Sequence, residues 1–147
     1  MPVVDITPKP EVYREAKAVG RIRLKKDTVE RIRSGMIEKG DPLLTAKIAA
    51  VMAAKKTSES IPFCHPIQIT HVDVQFRILD ERTIEAEATV KARAKTGVEM
   101  EALVAVSTAL LTIWDMTKQY EKDRRGQYPT TEIFGIKVLA KVKEEGK

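Results

Sequence analysis

Four segments of the chain hold reactive side chains for which folding alone gives an incomplete account. In Ile61-Pro62-Phe63-Cys64-His65-Pro66 two prolines bracket one imidazole, and Pro66 pushes His65 toward an extended backbone. A stiff loop presenting one ring suits proton transfer or a hydrogen bond to a ligand, and a plain linker between helix and sheet explains it equally well. In Trp114-Asp115-Met116-Thr117-Lys118 a carboxylate and an ammonium stand on one helical face, as a structural ion pair or as an acid–base couple. In Lys95-Thr96-Gly97-Val98-Glu99-Met100-Glu101, Thr96 and Glu99 have capping-box spacing, which gives Glu99 a structural role. Glu101 lies past the cap in a run that is apolar nearly all round, and a carboxylate there needs a partner or a ligand. Lys39-Gly40-Asp41 reads as a helix start, with a lysine placed beside a terminus that attracts anions. No metal site is expected, because Cys64, His65 and His71 are the only soft ligands and lack zinc spacing.

Particular elements must carry these residues. Ala18, Gly20, Ile22 and Leu24 alternate with Lys17, Arg21, Arg23 and Lys25, which predicts a strand over Lys17 to Lys25 with a basic outer face. Asp27 or Thr28 opens a short helix that Gly35 stops. Asp41-Pro42 starts a second helix, reaching about Thr57, whose Ala46, Ala49, Ala50, Ala53 and Ala54 offer a small-residue surface. Val72, Val74, Phe76 and Ile78 alternate on one strand and Ile84, Ala86, Ala88, Val90 and Ala92 on the next, joined by Asp80-Glu81-Arg82. A long helix over about Gly97 to Lys122 carries both Glu101 and Asp115, and Ile136, Val138, Ala140 and Val142 mark a last strand. The expected fold is α+β, a ferredoxin-like antiparallel sheet with helices packed on one face. It forms one domain over residues 1–147, with a charged tail from about residue 142 expected to be mobile.

At 147 residues, 43% hydrophobic and 32% charged, the chain is long and apolar enough for one globular core. Its net charge of +5 calls for an anionic partner, and nucleic acid, a membrane surface or a nucleotide-like substrate would each satisfy it. Cys64 is the one cysteine, so no intrachain disulfide forms and a reducing compartment fits. Residues 1–10 lack a signal peptide's apolar core. The longest uncharged stretch, Ala102 to Trp114, is shorter and more polar than the roughly 20 apolar residues of a bilayer span. The expected location is cytoplasmic.

The segments already quoted occur in order with Val4-Asp5-Ile6, Arg14-Glu15-Ala16, Ala53-Ala54-Lys55-Lys56-Thr57 and Glu101-Ala102-Leu103. In this combination the chain closely resembles the MoaC family of molybdenum cofactor biosynthesis, the cyclic pyranopterin monophosphate synthases, over roughly residues 3 to 143. The resemblance implies a lyase that converts 3′,8-cyclo-7,8-dihydro-GTP to cyclic pyranopterin monophosphate and releases diphosphate. It implies a small nucleotide-derived substrate, no metal or organic cofactor, and a homohexamer built from dimers. Position by position, it implies that Phe63, Cys64, His65, Met100 and Glu101 contact substrate and that Asp115 is catalytic. Lys39, Glu99 and Lys118 match other active-site positions, and Arg14 and Lys55 are implied as phosphate contacts. Lys141 is the choice for the last active-site lysine, because it follows Val138-Leu139-Ala140, with Lys137 and Lys143 as competitors. Asp115 with Lys118, helped by His65, would supply a proton donor and an acceptor. The chain departs from the family pattern at Pro42, Trp114 and Thr117, in a longer segment from Glu121 to Thr131, and in lacking a Gly-Gly-Lys-Ser-Gly tail.

The rival reading is a nucleic-acid-binding domain on the same fold. Such sheets stack bases on exposed aromatics, whereas Phe76 falls on the apolar side with Val72 and Val74. The basic face of Arg21, Arg23 and Lys25 is its best support, and a solvated surface explains that equally well. Neither a nucleic-acid nor a membrane partner is expected. A catalytically inert homologue is the second rival, against which Asp115, Lys118, Glu101 and His65 are all present.

Overall fold

A computed structural model describes residues 2–144. Strand β1 (Val12–Arg23) leads into helices α1 (Lys26–Ser34), α2 (Pro42–Lys55) and the single turn α3 (Thr57–Ser60). The hairpin β2 (His71–Ile78) and β3 (Thr83–Ala94) follows, then helix α4 (Glu99–Glu121) and strand β4 (Glu132–Glu144). The four strands pair antiparallel in the order β2-β3-β1-β4. That order, with the α1–α2 and α4 crossovers, is the expected ferredoxin-like α+β arrangement.

Local chemistry explains the element ends. Asp41 accepts from the Leu43 and Leu44 N–H groups at 3.0 and 3.1 Å, with Pro42 at the first helical position. Gly35 closes α1 in the left-handed region at φ 69°. Asp80 caps the β2–β3 turn by accepting from the Arg82 N–H at 2.8 Å. Residues 135 and 136 of β4 together oppose Gly20, and Gly135 takes φ 67° to form that bulge.

The core lies between the sheet and the helices α2 and α4. Ala16, Ala18, Ala86, Ala88 and Ala92 of the sheet are buried there with Ala46, Ala50, Ala102, Ala105 and Ala109 of the helices. Small residues on both sides let the layers approach closely. A Cβ at Gly20 would stand 2.7 Å from Val106 and 2.8 Å from Leu110, so the lack of a side chain there seats α4 on β1. Leu110 and Ile113 are fully buried, each worth about 1.5–3 kcal/mol of transfer free energy. By length and composition α4 could cross a membrane, yet it is the core helix of this layer.

Several expectations need correction. β1 begins at Val12 rather than Lys17 and ends at Arg23. Its first half carries Arg14 on the core side, which broke the apolar alternation. Helix α1 starts at Lys26, and α2 stops at Lys55, where Thr57 begins a separate turn. The expected mobile tail is strand as far as Glu144, because Lys141 to Glu144 pair with Tyr13 to Ala16; residues 145–147 lie outside the described chain. The basic outer face of β1 is matched by carboxylates. Arg21 and Arg77 both bind Glu85, Lys17 lies 3.7 Å from Glu87, and Arg23 is 3.0 Å from Glu132. Phe76 packs against the core, on the apolar side where the alternation put it.

Candidate active site

Most of the sequence-selected residues gather at the two ends of α4. At its N-terminal end a cavity of about 470 Å³ is lined by Phe63, Cys64, His65, Glu99 and Met100, together with Val4, Ile6, Lys9, Ile61, Thr96 and Gly97. The Pro62–Pro66 loop delivers the first three, and the first turn of α4 delivers Glu99 and Met100. His65 Nε2 lies 2.6 Å from the Val4 carbonyl oxygen, so that nitrogen carries the proton in this contact.

Two carboxylates set the character of this end. Glu99 Oε1 faces Lys141 Nζ at 3.3 Å, and Glu99 Oε2 is buried without a hydrogen-bond partner among the described residues. The expected capping box is absent: Val98 caps α4 without a side-chain bond, and Glu99 turns to Lys141 instead of back toward Thr96. Gly97 makes room for that turn, because a Cβ there would collide with the Glu99 carboxylate. Glu101 is 2% exposed, and its Oε1 also lacks a partner among the described residues. Burial holds its carboxyl above the ordinary range, and the Glu99 charge adds to the effect. Burial, with Glu101 and Glu99 nearby, likewise pushes up the Cys64 thiol, which therefore stays neutral near pH 7.

At the other end, Lys118 Nζ is 2.9 Å from Asp115 Oδ1 and Lys39 Nζ is 3.4 Å from Asp115 Oδ2. Lys118, by hydrogen bond and charge, and then Lys39 hold the Asp115 carboxyl below its ordinary range; Asp115 in turn holds the Lys118 ammonium above its own. The Glu38 N–H donates to Tyr120 Oη at 2.9 Å and Gln119 Nε2 donates to Glu38 Oε2 at 3.0 Å, which fixes the Lys39 loop against α4. Trp114 meets Tyr128 edge to face at 5.1 Å between centroids. This ion pair is open to solvent in the single chain rather than buried, with the Asp115 side chain 59% exposed.

The remaining candidates take other places. Arg14 is buried, and its guanidinium donates to the Ala94 and Lys95 carbonyls at 3.3 and 3.2 Å, fastening β1 to the strand end beside the cavity. Lys55 is exposed at the end of α2 and makes no ion pair among the described residues. His71 is exposed at the start of β2, away from both clusters' side-chain contacts. No group of three metal-ligating side chains occurs among the described residues. Sequence reasoning missed the cavity wall formed by Val4, Ile6 and Lys9, because the segment before β1 has no periodicity to read.

The MoaC family profile matches residues 3–144. A protein of Sulfurisphaera tokodaii named "probable cyclic pyranopterin monophosphate synthase" is 55% identical over 141 residues, 96% of this chain and 93% of its own length. One of Thermococcus onnurineus with the same name is 56% identical over 144 residues, 98% of this chain and 92% of its own. A protein of Methanothermobacter thermautotrophicus, named "probable cyclic pyranopterin monophosphate synthase accessory protein", is 54% identical over 143 residues, 97% of this chain and 89% of its own. With a match of this extent, and with the loop and helix segments that carried the resemblance lining one cavity and one ion-pair cluster, the chain belongs to the MoaC family.

Proposed function

We propose that the protein is a cyclic pyranopterin monophosphate synthase, a phosphorus–oxygen lyase of molybdenum cofactor biosynthesis that acts on 3′,8-cyclo-7,8-dihydro-GTP. Closing the cyclic phosphate forms a P–O bond at the α-phosphorus and breaks that phosphorus's bond to the bridging oxygen, which leaves with diphosphate. The observation that carries the reading is the pair of buried carboxylate oxygens, on Glu99 and Glu101, that no group among the described residues satisfies. A buried acceptor without a donor is costly, and the N–H groups of a purine-derived ring are donors of the right kind.

The other residues fit the same chemistry. Lys39, Lys118 and Lys141 stabilise negative charge on the phosphates and the departing diphosphate, with Lys55 available on the surface. Asp115, kept ionised by its two lysines, accepts a proton, and Lys118 or His65 returns one. The neutral Cys64 thiol contacts the ligand by packing and weak hydrogen bonding rather than as a nucleophile. Phe63, 51% exposed, and Met100 supply apolar contact area.

One active site per ligand then requires two chains. Glu101 and Asp115 are 14 residues apart, which on a helix is about 21 Å along the axis and within about 40° in direction. A two-fold neighbour lying antiparallel along α4 brings the partner's Asp115 cluster to this chain's cavity. Leu44, Ile48 and Met52 form an exposed apolar row on α2, and Leu111 is exposed on α4 in the same layer, which supports burial of this face. The resemblance extends this dimer to a hexamer. The test of function is to supply the cyclised dihydro-GTP and assay diphosphate. Release by the wild type and none by Asp115→Asn is expected; no release by the wild type refutes the reading.

A further inference from the structure

The segment before β1 is held over the cavity by few contacts. Lys95 Nζ donates to the Thr7 carbonyl at 3.1 Å, and His65 bonds the Val4 carbonyl at 2.6 Å. Within the segment, Asp5 accepts from the Thr7 N–H at 2.9 Å and the Lys9 N–H donates to the Ile6 carbonyl at 3.0 Å, so it folds into consecutive tight turns. These turns bring Lys9 to the wall that also carries His65 and Glu99. Lys9 has no ion pair or hydrogen bond from its side chain among the described residues, and Val4, at the cavity wall, is still 71% exposed. The strap thus has little apolar burial holding it down, and it presents an unpaired cation at a cavity that also carries His65 and Glu99.

We propose that Pro2 to Lys9 is a closing strap whose Lys9 is a further substrate-binding residue, taking the polyphosphate of the ligand and thereby drawing the strap onto it. The proposal rests on the polyphosphate-bearing substrate proposed above. Closure places the Val4 carbonyl on His65 Nε2 and so keeps the other ring nitrogen free to accept a proton from the ligand. Strap binding and proton handling are thereby linked through one backbone carbonyl.

The test compares wild type, Lys9→Gln and Lys9→Arg in the intact assembly. With the cyclised dihydro-GTP, Lys9→Gln should raise KM about tenfold or more, the loss of one charge-assisted contact, with kcat within about twofold. Lys9→Arg should restore most of the KM. Independently of turnover, inorganic tripolyphosphate should slow amide hydrogen exchange at residues 3–9 in the wild type and leave Lys9→Gln unchanged. Diphosphate release by the wild type with an unaltered KM for Lys9→Gln overturns the strap and leaves the reaction standing. Exchange at residues 3–9 that ignores tripolyphosphate in the wild type overturns the strap even if the reaction itself proves to be another.

Discussion

Glu121→Gln and Glu101→Gln exchange the same carboxylate for the same amide on one helix, and the structure predicts opposite effects on stability. Glu121 is fully buried and fully satisfied. It accepts from the Lys25 N–H at 3.0 and 3.2 Å, from Thr131 Oγ1 at 2.6 Å and from Thr28 Oγ1. An amide keeps one acceptor oxygen and turns an NH₂ toward groups that are themselves donors. At roughly 1.5–3 kcal/mol per hydrogen bond to a charged group, the loss is about 2–4 kcal/mol, or about 5–15 °C in Tm for a chain of this size. Glu101 has the reverse problem, a buried oxygen without a donor. Neutralising it relieves about 1–3 kcal/mol of desolvation and should raise Tm by a few degrees near pH 7 while abolishing turnover. The sign of the pH dependence follows from its raised carboxyl. The folded chain holds that proton at a pH where the unfolded chain has lost it. The penalty is therefore absent below the ordinary carboxylate range and grows as pH rises through that range, levelling off above the raised value. The advantage of Glu101→Gln over wild type should accordingly vanish in acid. Calorimetric melting of both variants at neutral and acid pH measures all of this. A Glu121→Gln Tm within about 2 °C of wild type, or a Glu101→Gln Tm below wild type, refutes the reasoning.

Two further outcomes are expected. Asp115→Asn and Lys118→Ala should each abolish diphosphate release with Tm near wild type, because the pair is exposed in the chain and folding does not lean on it; near-normal activity in either variant contradicts the assignment. Activity should survive exhaustive chelation, since no three metal-ligating side chains cluster among the described residues, and strict dependence on an added transition metal would count against the mechanism.

The fold was legible wherever one face of an element is buried and the other wet. The alternations of β2 and β3 and the apolar run of α4 gave those elements to within a few residues. Legibility failed where tertiary contacts override local pattern. Arg14 sits on the core side of β1 because backbone carbonyls of the neighbouring strand end satisfy it, which no periodicity announces. Glu99 abandons capping-box geometry because Lys141, more than forty positions away, competes for its carboxylate. The charged end of β4 is strand because β1 offers it a ladder, although its composition resembles a solvated tail. For the site, residue types and motif order singled out both segments and put them toward opposite ends of one long helix, but the partners of each side chain, Lys141 on Glu99 and Lys39 on Asp115, emerge only once the chain is folded. The strap was invisible, since its turns are local backbone hydrogen bonds and its importance lies in what they place over the cavity.

What most needs testing is that the Glu101 end of α4 in one chain, with the cavity beside it, and the Asp115 cluster of another chain form one working site. Glu101→Ala and Asp115→Asn proteins, each inactive, are unfolded together and refolded as an equal mixture. In random two-fold pairing half of the dimers are mixed, and one of the two sites in each mixed dimer has both residues intact. Diphosphate release should therefore recover to about a quarter of the wild-type level. No recovery, with mixed assemblies shown to have formed, would place both residues in a site made by one chain and contradict the account.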